Sequence, residues 1–147
     1  MDCSFCINLG VHINQLQIPW ELFCSKWFIC AYCEVLPVET VLRVWDAVFH
    51  EGSKILFRVA LGLLQLNKDS LMSKTDFASM AEEIKKLGST SETIDCHAFM
   101  EYIFDKTGAM PRKKIDKLRE EFGKLVREEQ LEREKKRKQD GSGLKDG

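Results

Sequence analysis

The sequence predicts an all-α fold of about six helices. Apolar residues recur at intervals of three and four along most of the chain, as they do on one side of an α-helix. No segment shows the two-residue alternation that is typical of a half-buried strand. Prolines and glycines stand between the apolar segments, where helices are expected to begin and end.

The N-terminal part divides into a weak segment and a first helix. Residues 1–17 are short and mixed in character, so we expect a weakly structured segment there. Pro19 predicts the start of a helix at residue 18, because proline fits the first helical turn, where its missing N–H costs nothing. This helix is expected to run to about Val35. Its apolar residues cover more than one side, which predicts extensive burial.

Two further helices follow with clearer boundaries. Pro37 is expected to open the second helix, with Glu39 favourably placed on the helix dipole in its first turn. Gly52 supplies a left-handed end to that helix, and Ser53 is expected to cap the next one. Arg58 is the one charged residue in the interior of this third helix, which otherwise carries apolar residues as far as Leu66.

The second half of the chain predicts shorter helices over about residues 74–87 and 95–106, and then a long last helix opened by Pro111. The last helix has apolar residues at the a and d positions of a heptad pattern, as far as residue 125. Glu129 and Glu132 occupy the next positions and end the pattern. We therefore expect a helical part over residues 18–126 and a charged tail over residues 127–147, helical at first and disordered around Gly141 to Gly143.

Composition excludes several classes of protein. The chain has 147 residues, a formal net charge of -1, 44% hydrophobic and 31% charged residues, which is ordinary for a single soluble domain. The near-zero net charge predicts no global attraction to nucleic acid or to an anionic membrane. No apolar run reaches the roughly 18 residues of a membrane helix, and the N-terminus lacks the features of a secretory signal. We expect a cytoplasmic protein with six reduced cysteines.

Two Cys-x-x-Cys pairs, Cys3 with Cys6 and Cys30 with Cys33, have the spacing of a zinc site. Zinc thiolates converge from tight polar turns, whereas Cys30 and Cys33 are expected inside an apolar helix. There a free cysteine behaves as a small hydrophobic residue. This structural interpretation is favoured over a zinc-binding adaptor, and no metal or cofactor is predicted.

The other polar candidates are weaker. The three histidines are scattered, and Cys96 and His97 are adjacent, so they do not face each other on a helix. No glycine-rich phosphate loop is present. The basic run from Lys135 to Lys138 follows a glutamate-rich stretch, which favours a solvated surface over a nuclear targeting signal.

Charged residues on the second helix form the most distinctive group. Arg43 and Asp46 lie three residues apart and can pair, and Glu39 lies four residues before Arg43 and can share it. We interpret the group as a structural salt bridge that orients this helix, in preference to a catalytic site.

Residues 26–32, 36–40 and 42–46 together resemble the last signature block of the TBC domain, and residues 51–61 continue the likeness. The TBC domain is the all-helical module of Rab GTPase-activating proteins. The resemblance covers roughly residues 20–125 and implies that residues 18–126 are the C-terminal part of such a domain. It also implies a Rab small GTPase as partner and a cytoplasmic location with peripheral association at endomembranes.

Family members insert an arginine and a glutamine into the nucleotide site of the Rab, where the arginine stabilises developing charge and the glutamine orients water. These residues lie in Ile-x-x-Asp-x-x-Arg and Tyr-x-Gln motifs, and neither motif occurs in this sequence. Tyr32 precedes Cys33-Glu34, and Arg43 belongs to the structural block. We therefore expect a truncated form with no catalytic residues and no activity of its own. The alternative is a non-catalytic helical interaction module that self-associates through exposed apolar helices.

Overall fold

The computed structural model describes the backbone of residues 3–142 and the side chains of residues 7–21 and 23–137. This part of the chain is all-α, as predicted, and contains nine helices and no strand. The helices are α1 (Cys3–Gln15), α2 (Trp20–Ile29), α3 (Val38–Glu51), α4 (Lys54–Leu66), α5 (Lys68–Met72), α6 (Phe77–Lys86), α7 (Ser91–Ile94), α8 (Cys96–Lys106) and α9 (Arg112–Ser142).

The chain forms two compact units, one that ends at Ala109 and one that begins at Met110. α9 runs without interruption through residue 126, after which a charged tail that is helical at first was expected. The helix also extends through the predicted charged tail to Ser142, since its Glu and Lys residues are strong helix formers. The expected disorder around Gly141 is thus replaced by helix at Gly141 and Ser142, while Gly143 lies outside the described residues.

The core of the first unit is formed where α3, α4 and α8 pack together. Val44, Leu63 and Ile103 contribute fully buried side chains from these three helices. Gly62 lets α4 approach α8 closely, because a Cβ atom there would lie 2.4 Å from Cγ2 of Ile103. This central packing determines which sides of α3 and α8 remain at the surface.

The expectation of a weakly structured segment at residues 1–17 is wrong. Residues 3–15 form α1, and Leu9 and Ile13, which lie four positions apart, are buried in the core. His12 lies beside them, and its Nε2 is 2.8 Å from the carbonyl oxygen of Lys74. Burial of this short apolar stripe stabilises a helix whose residues carry only a weak pattern of their own.

The first predicted helix ends six positions before Val35, at Ile29. Ala31 and Tyr32 take positive φ angles of 43° and 67°, which no α-helix accommodates. Neither residue is glycine or asparagine, so the sequence carries none of the usual signs of a left-handed turn. The chain leaves the helix here because tertiary contacts, described below, hold Tyr32 in place.

Other predicted boundaries are confirmed. Pro37 immediately precedes α3, and Gly52 ends it with a φ of 86°. The helix predicted over residues 95–106 is α8, whose N-cap Asp95 accepts hydrogen bonds from the backbone N–H groups of His97 and Ala98. The helix predicted over residues 74–87 is shorter and begins at Phe77, after the N-cap Asp76. Within the described residues, no helix is both long and apolar enough to cross a membrane.

Candidate functional site: the Tyr32 turn and the outer side of α3

Residues Cys30–Leu36, named here the Tyr32 turn, connect α2 to α3 through two consecutive left-handed residues. Such a conformation costs about 1–3 kcal/mol at each non-glycine residue, so the surrounding structure must compensate. The Tyr32 hydroxyl donates a hydrogen bond to the Leu56 carbonyl oxygen at 2.7 Å. Trp45 Nε1 donates to the Ala31 carbonyl oxygen at 3.0 Å. The turn is therefore held by α4 through Tyr32 and by α3 through Trp45.

Aromatic rings surround the buried Tyr32 side chain. The ring centroids of Trp27 and Phe28 lie 6.1 and 6.4 Å from that of Tyr32, and Phe28 also contacts Phe57 at 5.0 Å. Burial raises the pKa of the Tyr32 hydroxyl well above its usual range, so this group stays protonated and keeps the proton that it donates to Leu56. Nearby, burial and then the charge of Glu21 raise the pKa of the Cys24 thiol to about 11. Burial thus favours the protonated, uncharged form of both groups.

A second set of polar contacts fixes the start of α3. The Thr40 hydroxyl donates to the Thr93 carbonyl oxygen at 2.6 Å, and the Thr93 hydroxyl donates to the Gly88 carbonyl oxygen at 2.8 Å. Gly88 packs so closely on the Tyr32 turn that a Cβ atom would lie 1.9 Å from the Val35 carbonyl oxygen. The sequence gives no sign of this chain of contacts, because threonines in apolar segments do not reveal their partners.

The outer side of α3 carries the charged residues predicted to pair. Arg43 Nη1 lies 3.4 Å from Asp46 Oδ2, which confirms the predicted pair, and both side chains are exposed. An exposed pair of this kind contributes little to stability. The expectation that it orients the helix is wrong, since the buried contacts of Trp45 and Thr40 do so instead.

A surface groove of about 500 Å³ lies between α3 and the start of α8. Its lining residues are Glu39, Leu42, Arg43, Asp46, Cys96 and His97. Glu39 and Arg43, which the sequence grouped together, thus share one groove with Cys96 and His97, which the sequence did not associate with them. Apolar side chains stand exposed along the same helix, above all Val38 at 71% and Phe49 at 83%.

Arg58 is internal, with 7% of its surface exposed. Its Nη1 donates to the carbonyl oxygens of Ile103 and Phe104 at 3.2 and 3.1 Å, and its guanidinium lies 4.7 Å from the centre of the Phe104 ring. These contacts satisfy carbonyl groups at the end of α8, where the helix dipole favours a cation. Arg58 therefore joins α4 to α8 and does not reach a surface where it could contact a nucleotide.

The cysteines do not lie where the sequence placed them. Cys30 ends α2 and Cys33 lies exposed in the Tyr32 turn, so the expectation that both lie inside a helix is wrong. The side chains of Cys3 and Cys6 lie outside the described residues. Among the side chains that the structure describes, no three His, Cys, Asp or Glu residues are grouped so that they could hold a metal ion. The basic residues Lys135 to Arg137 are exposed along α9.

The order of helices and the Tyr32 turn can be compared with known proteins. A model of the Rab-GTPase-TBC domain matches residues 5–72, which include α2, the Tyr32 turn, α3 and α4. Over those residues, this chain is similar to the Rab-GTPase-TBC domain family. Growth hormone-regulated TBC protein 1 of Xenopus tropicalis is 44% identical over 118 residues, which are 80% of this chain and 34% of that protein.

Further TBC proteins agree with this assignment. Growth hormone-regulated TBC protein 1 of Homo sapiens is 40% identical over 112 residues, which are 76% of this chain and 33% of that protein. In three dimensions, the chain is similar to the Chlamydomonas flagellar RabGAP TBC domain, with a TM-score of 0.61 and 31% identity over 69% of this chain and 34% of that one. The chain thus spans about a third of the length of the TBC proteins that it matches.

Proposed function

We propose that these residues form the C-terminal, supporting part of a TBC domain that accelerates GTP hydrolysis by a Rab protein, and that they do not supply the catalytic residues. The observation that carries the proposal is the combination of a TBC match over residues 5–72 with a sequence that holds neither an Ile-x-x-Asp-x-x-Arg nor a Tyr-x-Gln motif. By the resemblance, those two motifs provide the arginine and glutamine that act on the nucleotide.

The two arginines of the central helices support a structural role. Arg43 is exposed and pairs with Asp46, and Arg58 is buried against carbonyl groups of α8. An arginine that stabilises the transition state must project into the nucleotide site of the partner. Arg58 cannot do so without leaving the core, and Arg43 lies on a regular helix whose register is fixed by Trp45.

The proposal is tested by single-turnover GTP hydrolysis with a panel of Rab proteins. We expect the chain to leave the intrinsic hydrolysis rate of each Rab unchanged, because its sequence holds neither finger motif. An arginine finger alone accelerates hydrolysis by about 10³- to 10⁵-fold. The variants Arg43→Ala and Arg119→Ala form a matched pair, since each removes an exposed arginine that pairs with an aspartate three residues away. Clear acceleration that disappears in Arg43→Ala and persists in Arg119→Ala would contradict the proposal.

A second candidate function is that of a non-catalytic helical interaction module. The exposure of Val38, Leu42 and Phe49 on α3 favours it, because large apolar side chains that share one helix are commonly covered by a partner. We expect the purified chain to self-associate through this side, and Phe49→Glu to reduce the association in sedimentation velocity. A wild-type chain that remains monomeric and melts in one sharp transition would exclude this candidate.

A further inference from the structure

The first half of α9 places its apolar side chains on one side. Residues 112–127 contain five such side chains, Ile115, Leu118, Phe122, Leu125 and Val126. With 3.6 residues per turn, successive residues lie about 100° apart, and these five fall within an arc of about 100°. All except the half-buried Ile115 are exposed, and Phe122 is the most exposed of them at 60%. The arc is thus an apolar surface that the described residues of its own unit leave uncovered.

Cations line both edges of this apolar arc. Arg112 and Arg119 border one edge, and Lys114 borders the other. Residues 112–127 contain seven basic and three acidic residues, a formal net charge of +4 in a chain whose total is -1. Of the three acidic residues, Asp116 and Glu120 lie away from the arc, and Glu121 lies beyond Lys114 at about the same angle as Arg112 lies beyond the other edge. The overall charge therefore conceals a helix that is locally basic and amphipathic.

The first turn of α9 strengthens this local positive charge. It contains Arg112, Lys113 and Lys114 and no acidic residue. Cations at a helix N-terminus oppose the helix dipole, which favours anions there. An anionic surface would compensate the dipole and attract these cationic side chains.

A coiled coil with a second copy fits this helix less well. Its apolar seam covers only two heptads before Glu129 and Glu132 interrupt it. In a parallel pair, Lys114 of one copy would face Arg119 of the other, and in an antiparallel pair centred on the seam Arg119 would face its own equivalent. Like charges therefore meet beside the seam in both arrangements.

We infer that residues 112–127 of α9 bind the surface of an anionic lipid bilayer, with the helix lying in the interface. An interfacial helix of this kind inserts its apolar side into the headgroup region and keeps its Lys and Arg residues at the level of the phosphates. The interaction is separate from any action on a Rab, since it needs only residues of the second unit.

The test is cosedimentation of the full chain with phospholipid vesicles. We expect binding to phosphatidylcholine vesicles that contain phosphatidylserine, weaker binding at high salt, and little binding to pure phosphatidylcholine. Phe122→Glu should weaken binding by at least about tenfold, because the ring would no longer be buried in the interface. The matched control Phe77→Glu, an exposed phenylalanine on α6, should bind as the wild type does.

Charge is tested separately from apolar contact. Lys114→Glu should weaken binding by about fivefold or more, and Lys85→Glu, which changes the net charge equally on α6, should have little effect. Circular dichroism of each variant checks that the helices are retained. Equal binding by Phe122→Glu and the wild type, or equal binding to neutral and anionic vesicles, overturns the inference. A dimer in the absence of vesicles that Phe122→Glu dissociates, together with no vesicle binding, assigns the arc to a second copy and also overturns it.

Discussion

In α4 a single arginine lies buried among apolar side chains, whereas in α9 apolar side chains stand exposed among charges. Arg58 is accommodated in α4 because two carbonyl groups and an aromatic ring receive its charge. The apolar residues of α9 have no comparable cover among the described residues of their own unit. The comparison shows that the contacts offered by neighbouring elements, more than the composition of a helix, decide which of its residues are buried.

The largest expected effect concerns the close packing that surrounds α3. Gly88→Ala places a Cβ atom 1.9 Å from the carbonyl oxygen of Val35 and 2.7 Å from its carbonyl carbon. Both are backbone atoms, which cannot rotate away as the end of a side chain can. We expect a loss of about 3 kcal/mol in the free energy of unfolding, measured by urea denaturation. Gly10→Ala is the matched control, because no atom lies within 4 Å of its added Cβ. Equal stability of the two variants would show that the turn does not pack as described.

Removal of the buried charge in α4 is expected to have the next largest effect. Arg58→Met keeps most of the side-chain volume but removes the charged donor to the Ile103 and Phe104 carbonyl oxygens, of which the Ile103 oxygen keeps its contacts with Thr107. Hydrogen bonds to charged groups contribute about 1.5–3 kcal/mol, so we expect a loss of about 2 kcal/mol. The exposed Arg119→Met in α9 should change stability little. A neutral or stabilising Arg58→Met would mean that desolvation of the guanidinium cancels its contacts.

The smallest expected changes in stability come from glycine-to-alanine substitutions, and they have opposite signs in α4 and α9. In α4, Gly62→Ala brings a Cβ atom against Ile103 and is expected to destabilise the first unit by about 1 kcal/mol. In α9, the nearest atom to a Cβ at Gly123 belongs to Arg127 at 3.6 Å, an ordinary contact. Gly123→Ala should therefore raise helix content, because alanine favours a helix by about 1 kcal/mol over glycine. Thermal melts and circular dichroism of both variants check these signs, and a stabilising Gly62→Ala contradicts the packing of α4 on α8.

The sequence predicted those elements whose signals are local. Pro37 and Gly52 marked the two ends of α3 correctly, and Asp95 stands at the start of α8 as expected. In contrast, the end of α2 was missed, because the left-handed Ala31 and Tyr32 depend on partners in α3 and α4 that are distant in sequence. A local pattern cannot reveal a conformation that tertiary contacts impose.

The candidate site was predictable only in part for the same reason. The pairing of Arg43 with Asp46 follows from their spacing on one helix. The groove that brings Cys96 and His97 beside them depends on how α8 packs against α3, which the spacing does not reveal. The links from Thr40 to Thr93 and from Thr93 to Gly88 also join separate segments. The groove and the threonine contacts both depend on the tertiary packing of segments that are distant in sequence.

The central claim is that contacts from neighbouring elements make α4 buried and leave the apolar residues of α9 exposed. Native-state hydrogen exchange of the full chain tests this claim most directly. We expect the amides of α4 to exchange slowly, near the limit set by global unfolding. They become accessible only when α4 and the helices packed on it unfold together. The amides of α9 should exchange much faster in water, since α9 has no second helix to pack against within the described residues of its own unit, and an isolated helix is only marginally stable. Protection of α9 equal to that of α4, in the absence of lipid or a second copy, would contradict this account.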